Sequence, residues 1–382
     1  MFQNKEISMA RKLNIKFNKT TLFILIAIAV ILALLVALAF SPVGTGLLEG
    51  LNSDNGSQTT DNSKLNIQLG SNVTSSDNTT ILETITAKIH FIDVGQGDAI
   101  LCQFQDGTDV LIDGGSNTSG LDQIRDDFMD YLFSAGITDT IEYMIVTHPD
   151  TDHYNMLTMV LDTYDVETIY YNNTAKGTQY TDFINRIGEE VSGNNNVGLD
   201  ADGEIYEDVI KGTGYSFDIY APGYDRFQDE NDDYDAYESN GMSPIVVLEV
   251  SGKKVLLTGD ATHETEAWFL ETLGETALDV DVLKVGHHGS ESSTTQTFLD
   301  KVSPEFAVIS CDDGTKHSHP RPEVMNRLFD DGIVTYRTNR HGDIVLLFDA
   351  NGNFAFQVEK QVMVENNTKN VNDKMLVTSV EE

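Results

Sequence analysis

Four side chains with metal-binding chemistry fall within six residues in Thr147-His148-Pro149-Asp150-Thr151-Asp152-His153. An apolar run, Ile141–Val146, precedes them and reads as a buried strand, so the four groups sit on a strand-end loop that can fold round an ion. Imidazole and carboxylate together suit zinc, manganese or iron. A chance surface cluster is the competing account. It fits poorly, because the flanks are a buried strand and an apolar helix, Met156–Thr163.

Two later apolar runs end in the same chemistry. Leu256-Leu257-Thr258-Gly259-Asp260 delivers a carboxylate, and Val282-Leu283-Lys284-Val285-Gly286-His287-His288-Gly289-Ser290 delivers two histidines. Each alone is mediocre evidence, since an aspartate after Thr-Gly is more often a turn residue. Three polar strand ends in this order form a much stronger pattern. Two ions about 3.5–4 Å apart can share one carboxylate and activate a water near neutral pH.

The elements that must position these groups alternate along the chain. Ala87–Asp93, Ala99–Gln105 and Asp109–Asp113 read as short strands joined by glycine-containing turns. Helical spacing then covers Gly120–Ala135, with a further strand at Thr168–Tyr171 and a helix at Thr181–Glu190. Strands are expected at Tyr215–Ala221, Ile245–Val250, Lys254–Thr258, Val280–Val285, Phe306–Ser310, Val334–Arg337 and Ile344–Phe348. Helices are expected over Glu264–Leu273, Thr295–Val302 and Pro322–Asp330. About a dozen strands in two runs imply two packed sheets with helices outside. The polar stretches Asn172–Gln179, Ser192–Asp208 and Asp225–Ser239 read as solvated loops. Asp200-Ala201-Asp202-Gly203 lacks the full calcium-loop pattern.

Composition bounds the rest. The chain has 382 residues, 24 Lys+Arg against 61 Asp+Glu, a net charge of −37 and 40% hydrophobic residues. That supports a folded core and counts against a free-standing nucleic-acid binder. Cys102 and Cys311 are the only cysteines, which excludes a disulfide framework and a four-cysteine zinc site; both read as small core residues. Residues 1–20 form a basic segment, and Thr21–Phe40 is an uncharged apolar run about 30 Å long as a helix, enough to span a bilayer. A cleaved signal peptide competes, through Ala37-Leu38-Ala39, but its apolar region would be shorter. The expectation is an uncleaved single-pass signal anchor, with the basic end cytoplasmic and the remainder outside the cell. Residues 41–84 read as a flexible linker, 85–360 as the globular domain that carries these strand ends and 361–382 as a loose tail.

The His-x-Asp-x-Asp-His run resembles the His-x-His-x-Asp-His signature of the metallo-β-lactamase superfamily, with Thr-Gly-Asp and Gly-His-His-Gly-Ser following in that superfamily's order. HFIDVGQGDAILCQF, VLIDGG, VTHPDTDH, VLLTGD, VLKVGHHGS and YRTNRHGDIVL are similar to the C-terminal hydrolase domain of ComEC-type competence proteins, over about residues 87–350. The resemblance implies an α/β fold, an αββα sandwich with two divalent ions, zinc or manganese, at one edge. It implies that His148 and Asp150 hold one ion, that Asp152 and His153 serve the other, that Asp260 bridges and that His287 completes a shell. Asp152 would also orient the nucleophile, and His288 would be a ligand or a donor to the leaving group. Lys284 and His319 stand where a phosphate contact or proton donor is useful, with a structural hydrogen bond as the alternative for each.

Departures from the pattern carry information. Asp150 replaces the superfamily's second histidine, and no histidine lies between His153 and Asp260, although His263 follows closely. One oxygen-rich ion site favours manganese as much as zinc. β-Lactamase activity is not expected, and one span cannot form a DNA channel. Gly95-Gln96-Gly97-Asp98 mimics a dinucleotide fingerprint, but Ile100 occupies the third glycine position, so a tight turn beneath the metals is expected. Asp93, Asp98 and Asp113 are candidate acceptors for ligating histidines.

The expected function is a membrane-anchored, extracytoplasmic, metal-dependent phosphodiesterase or nuclease. The acidic charge opposes a polyanionic substrate, so an envelope phosphodiester (teichoic-acid or phosphorylcholine) or a small nucleotide is the alternative. A non-catalytic acidic binding module is the reading from another class. A DNA track would need Lys284, Lys316, Arg321, Arg337 and Arg340.

Overall fold

The computed structural model describes residues 67–69, 85–173, 177–190, 195–199, 203–223, 227, 236–274, 278–313 and 318–360. The expected membrane span, most of the linker, the acidic stretch up to residue 235 apart from Phe227, and the tail lie outside the described residues. Among those described, no helix is long and apolar enough to cross a membrane.

Two sheets form the centre. The nine-stranded sheet comprises β1 (Ile67–Leu69), β2 (Ile85–Phe91), β3 (Ile100–Phe104), β4 (Asp109–Ile112), β5 (Thr140–Val146), β6 (Asp165–Asn172), β7 (Asn195–Leu199), β15 (Ile344–Asp349) and β16 (Phe354–Val358). Its order is β1-β16-β15-β2-β3-β4-β5-β6-β7. The seven-stranded sheet comprises β8 (Glu204–Gly212), β9 (Tyr215–Ala221), β10 (Ile245–Val250), β11 (Lys253–Leu257), β12 (Val282–Lys284), β13 (Phe306–Ile309) and β14 (Val334–Arg337). Its order is β14-β13-β12-β11-β10-β9-β8.

The layering follows from which side chains share a core. Ile100, Cys102 and Phe104 of β3 pack with Val246, Leu248 and Val250 of β10 in one apolar cluster between the sheets. The alternate residues point the other way. Leu101 and Leu111 meet helices α1 (Leu121–Ser134), α3 (Leu157–Thr163) and α4 (Gly177–Glu190). Ile245, Val247 and Leu283 meet α6 (His263–Leu273), α7 (Gln296–Val302) and α8 (Pro322–Asp330). Both faces of the central strands are therefore covered, which is why they read as continuous apolar runs. Each fully buried Leu, Ile or Phe contributes about 1.5–3 kcal/mol. The three clusters make the αββα sandwich expected from the sequence.

Three loop expectations fail in part here. Ser192–Asp208 supplies β7 and the start of β8, the edge strands of the two sheets, Asn172–Gln179 runs into α4, and Asp225–Ser239 runs into α5 (Ala236–Gly241). Edge strands bury little, and β8 exposes most of its side chains, so its composition carries no apolar signal. Within the segment read as linker, β1 pairs antiparallel with β16.

Candidate metal centre

Strands β4 and β5 run parallel, as do β11, β12 and β13, so their C-terminal ends gather at one edge of the sandwich. Helix α2 (Thr151–Tyr154) follows β5 and carries Asp152 and His153. Glycines let the chain close round it. The Asp98 N–H donates to Asp152 O at 3.1 Å, and Gly114 N–H donates to His153 O at 2.7 Å. A β-carbon on Gly97 would overlap Gly115 O and Asp152 O, and one on Gly115 would overlap the backbone of residues 151–153. The expected tight turn at 95–98 thus lies against the metal loop itself.

Four histidines converge on Asp260. His153 Nε2 lies 3.2 Å from Oδ1, His288 Nε2 3.5 Å from Oδ1, His287 Nε2 3.6 Å from Oδ2 and His148 Nε2 3.9 Å from Oδ2. Asp152 Oδ2 is 3.6 Å from His288 Nε2. His148, His153 and Asp260 can share an ion, as can Asp152, His153 and His288. The Asp152 and His287 side chains are 13% and 20% exposed while those of His148, His153, His288 and Asp260 are at most 3%, so the centre opens on the Asp152–His287 side.

Outer hydrogen bonds decide which ring nitrogen faces inward. Asp113 accepts from Thr147 N–H at 2.8 Å, from the Thr147 hydroxyl at 2.7 Å and from His153 Nδ1 at 2.7 Å. Having given its hydrogen to Asp113, the Thr147 oxygen can only accept from His148 Nδ1, 3.1 Å away. Ser243 Oγ accepts from Asp260 N–H at 3.1 Å and lies 3.1 Å from the same His148 nitrogen. His288 Nδ1 donates to Ser310 O at 3.0 Å. In neutral His148, His153 and His288 the Nδ1 is thus the donor, and their Nε2 lone pairs meet carboxylate oxygens. His153 Nε2, His288 Nε2 and Asp260 Oδ1 are buried without a hydrogen-bond partner. Lone pairs facing lone pairs in a buried site fit a divalent cation.

Titration tells the same story. Burial opposes charge on His153, but Asp260 and Asp113 outweigh it and hold its pKa well above the usual imidazole value. Burial likewise opposes charge on His288, yet Asp260, Asp152 and Asp98 raise it to about 10. For Asp260 burial is outweighed by His288, His153 and His287, which keep it ionised well below its usual range. His148, by contrast, is lowered to about 4 by burial and by His153. The protons stand where a cation belongs, and a cation binding there displaces them.

The expected site residues are placed unequally. His148, Asp152, His153, Asp260 and both histidines of the pair come together. Asp150 accepts from Ser239 Oγ at 2.7 Å, and its charge acts on His148. Lys284 is fully buried, 3.0 Å from Asp98 Oδ2 and donating to Val285 O at 2.9 Å, so it braces the Asp98 carboxylate behind His288 and does not line the opening. The His319 ring sits at the rim, its centroid 5.3 Å from that of His287. Asp113 acts as the expected acceptor for His153, Asp98 Oδ1 stands 3.5 Å from His288 Nδ1 without accepting from it, and Asp93 faces Lys360 at 3.7 Å. Sequence reasoning missed Ser243, Asn240, whose amide is 3.2 Å from His287 Nε2, and Ser292, 3.0 Å from His287 Nδ1. Only the serine-rich wording of 290–293 hinted at the last.

Comparison with known proteins agrees with this geometry. The family model described as the metallo-beta-lactamase superfamily matches residues 92–312. Recombination protein 2 of Haemophilus influenzae is 30% identical over 244 residues, 64% of this chain and 26% of that protein. ComE operon protein 3 of Bacillus subtilis is 25% identical over 271 residues, 67% of this chain and 32% of that protein. Competence protein ComA of Neisseria gonorrhoeae is 36% identical over 105 residues, 28% of this chain and 15% of that protein. The chain therefore spans about a third or less of the length of each of these relatives.

Proposed function

Since the chain belongs to the metallo-β-lactamase superfamily and has competence and recombination proteins among its relatives, we propose that it is a metal-dependent phosphodiesterase acting on DNA. The observation that carries the reading is the convergence of partnerless Nε2 and carboxylate atoms on Asp260. His148, His153, His288, Asp152 and Asp260 would hold divalent ions, zinc or manganese, with His287 at the open side. Such ions supply Lewis-acid polarisation of a phosphoryl group and activation of water. Asp152, the more exposed carboxylate of the set, would accept the proton of an attacking water. His319, beside His287, would give a proton to the leaving oxygen.

A small phosphodiester is the second reading, and the cations favour it. Lys284 is spent on Asp98, and Arg337 lies 4.0 Å from Asp313 and donates to Asn339 at 3.2 Å, which leaves Arg321 and Arg340 of the described candidates. A net charge of −37 repels a long polyanion. The proposed setting is the outer face of a membrane, through the apolar run 21–40.

Metal-loaded full-length protein offered single-stranded DNA, bis-p-nitrophenyl phosphate and a β-lactam tests all this at once. The reading expects hydrolysis of the first two and none of the third. A steep loss of DNA cleavage with salt supports a polynucleotide substrate, and a flat response supports the small diester. Absence of bound metal after zinc or manganese loading would defeat the mechanism.

A further inference from the structure

One turn of helix carries two different surfaces. In α2, Asp152 and His153 face the metal centre, whereas Thr151 and Tyr154 line a separate cavity of about 490 Å³. A helix with its side chains is about 10 Å across. The cavity therefore lies a short step from the reacting centre, on the far side of α2, walled by α1, α4 and the loop at 116–118.

The cavity presents donors. The Arg125 Nε is buried with no hydrogen-bond partner, and the ion pair recorded for the guanidinium is to fully exposed Asp122 at 3.6 Å, too long and too wet to satisfy it. Asn117 Oδ1 accepts from the Thr151 hydroxyl at 2.8 Å, which leaves Nδ2 as a donor. Gln179 and Tyr154 also line the cavity. The loop that supplies Asn117 is held in advance: Gln96 N–H donates to Thr118 Oγ1 at 2.7 Å, and that hydroxyl donates to Asp312 at 3.2 Å. Donors fixed before the ligand arrives lower the entropy lost on binding. The opposing charge is Asp182, exposed at the rim, which suits a singly charged diester better than a polyphosphate.

We propose that this cavity binds a second phosphodiester group of the substrate, next to the one cleaved, with Arg125 and Asn117 as its donors. The proposal rests on the phosphodiesterase reading for the cleavage itself. It makes a chain of at least two linkages, an oligonucleotide, a better substrate than an isolated diester.

The test uses full-length protein, wild type and the variants Arg125→Gln and Arg125→Lys, with circular dichroism confirming that each folds. Arg125 is a partly exposed helical side chain, so neither change should disturb the core. In EDTA, where no turnover occurs, binding of fluorescein-labelled tetrathymidylate should weaken about tenfold in Arg125→Gln and by less in Arg125→Lys. With manganese, Arg125→Gln should lower kcat/KM on tetrathymidylate about tenfold more than on bis-p-nitrophenyl phosphate, mostly through KM. Equal tetrathymidylate binding by wild type and Arg125→Gln, or no binding by wild type, overturns the proposal, as does an equal loss on both substrates. A wild-type protein that binds tetrathymidylate through Arg125 but hydrolyses neither substrate would instead sink the phosphodiesterase reading and leave the cavity assignment standing.

Discussion

On the nine-stranded sheet, His148 and His153 are fully buried, and their Nδ1 hydrogens end on groups tied to a single carboxylate, Asp113. On the seven-stranded sheet, His287 and His288 sit on backbone with φ of 47° and 54°, which side chains with a β-carbon rarely adopt. Such residues cost of order 1–3 kcal/mol each and persist only where their surroundings hold them. Here the hydrogen-bond partners are neutral: Gly259 O accepts from His287 N–H at 3.0 Å, Ser310 O from His288, and Ser292 and Asn240 flank the His287 ring, while the Asp98 carboxylate stands back at 3.5 Å from His288 Nδ1. One half of the centre is oriented by charge and the other by backbone strain propped with neutral contacts. Asp260 is the joint between them, and the exposed His287 marks the adjustable side.

That contrast ranks the effects of mutation. Asp260→Ala removes the carboxylate that both halves face, so elemental analysis should find metal lost from the whole centre and activity at background. Retention of a full metal complement would show that the halves bind independently. Next is Gly97→Ala. It drives a β-carbon into Gly115 O and Asp152 O on the charge-oriented side and should lower stability by about 2–4 kcal/mol, read by urea denaturation.

Asp113→Ala should weaken metal binding about 10–100-fold, because His153 and Thr147 both lose their acceptor. Ser292→Ala, the matching change on the other side, should cost no more than a few-fold. Competitive chelator titration of the two variants compares the halves directly, and equal losses would break the contrast.

A pH effect concerns Glu266, away from the ligands, whose carboxylate accepts from Thr294 N–H and from Thr295 N–H at 3.0 Å and so fixes the loop bearing Ser292. Burial raises its pKa from 4.5 to about 7, with the Thr295 and Thr294 hydrogen bonds and Arg327 acting against the rise. A raised folded-state pKa contributes stability that is full below pH 4.5 and is lost as pH rises through 7. The wild-type protein should therefore lose on the order of 3 kcal/mol across that window. Glu266→Gln should flatten the dependence in a pH series of thermal melts, and an unchanged slope would show that Glu266 is ionised throughout.

The sequence by itself determined the apolar strands, the two-sheet architecture and the three ligand-bearing strand ends. Those signals are local: a buried strand needs a continuous apolar run, and a loop that folds round an ion needs its ligands a few residues apart. It also marked Asp113 as an acceptor, because it closes a strand at the metal edge. Spacing does not encode direction. That Asp150 turns to Ser239 while Asp152 turns to His288 depends on where α2 is held by Gly97 and Gly115. That Lys284 is buried against Asp98 depends on β12 lying inside its sheet, between β11 and β13. Ser243 and Asn240 belong to no motif, yet they reach His148 and His287 because β10 pairs antiparallel with β11, which brings the start of one strand beside the Asp260 end of the other. The edge strands β7 and β8 stayed hidden for the complementary reason: they are held by backbone pairing with a neighbour, and their side chains record little of it. Tertiary structure decided these points because each contact joins groups distant in sequence, through burial and hydrogen-bond saturation that no short stretch of chain contains.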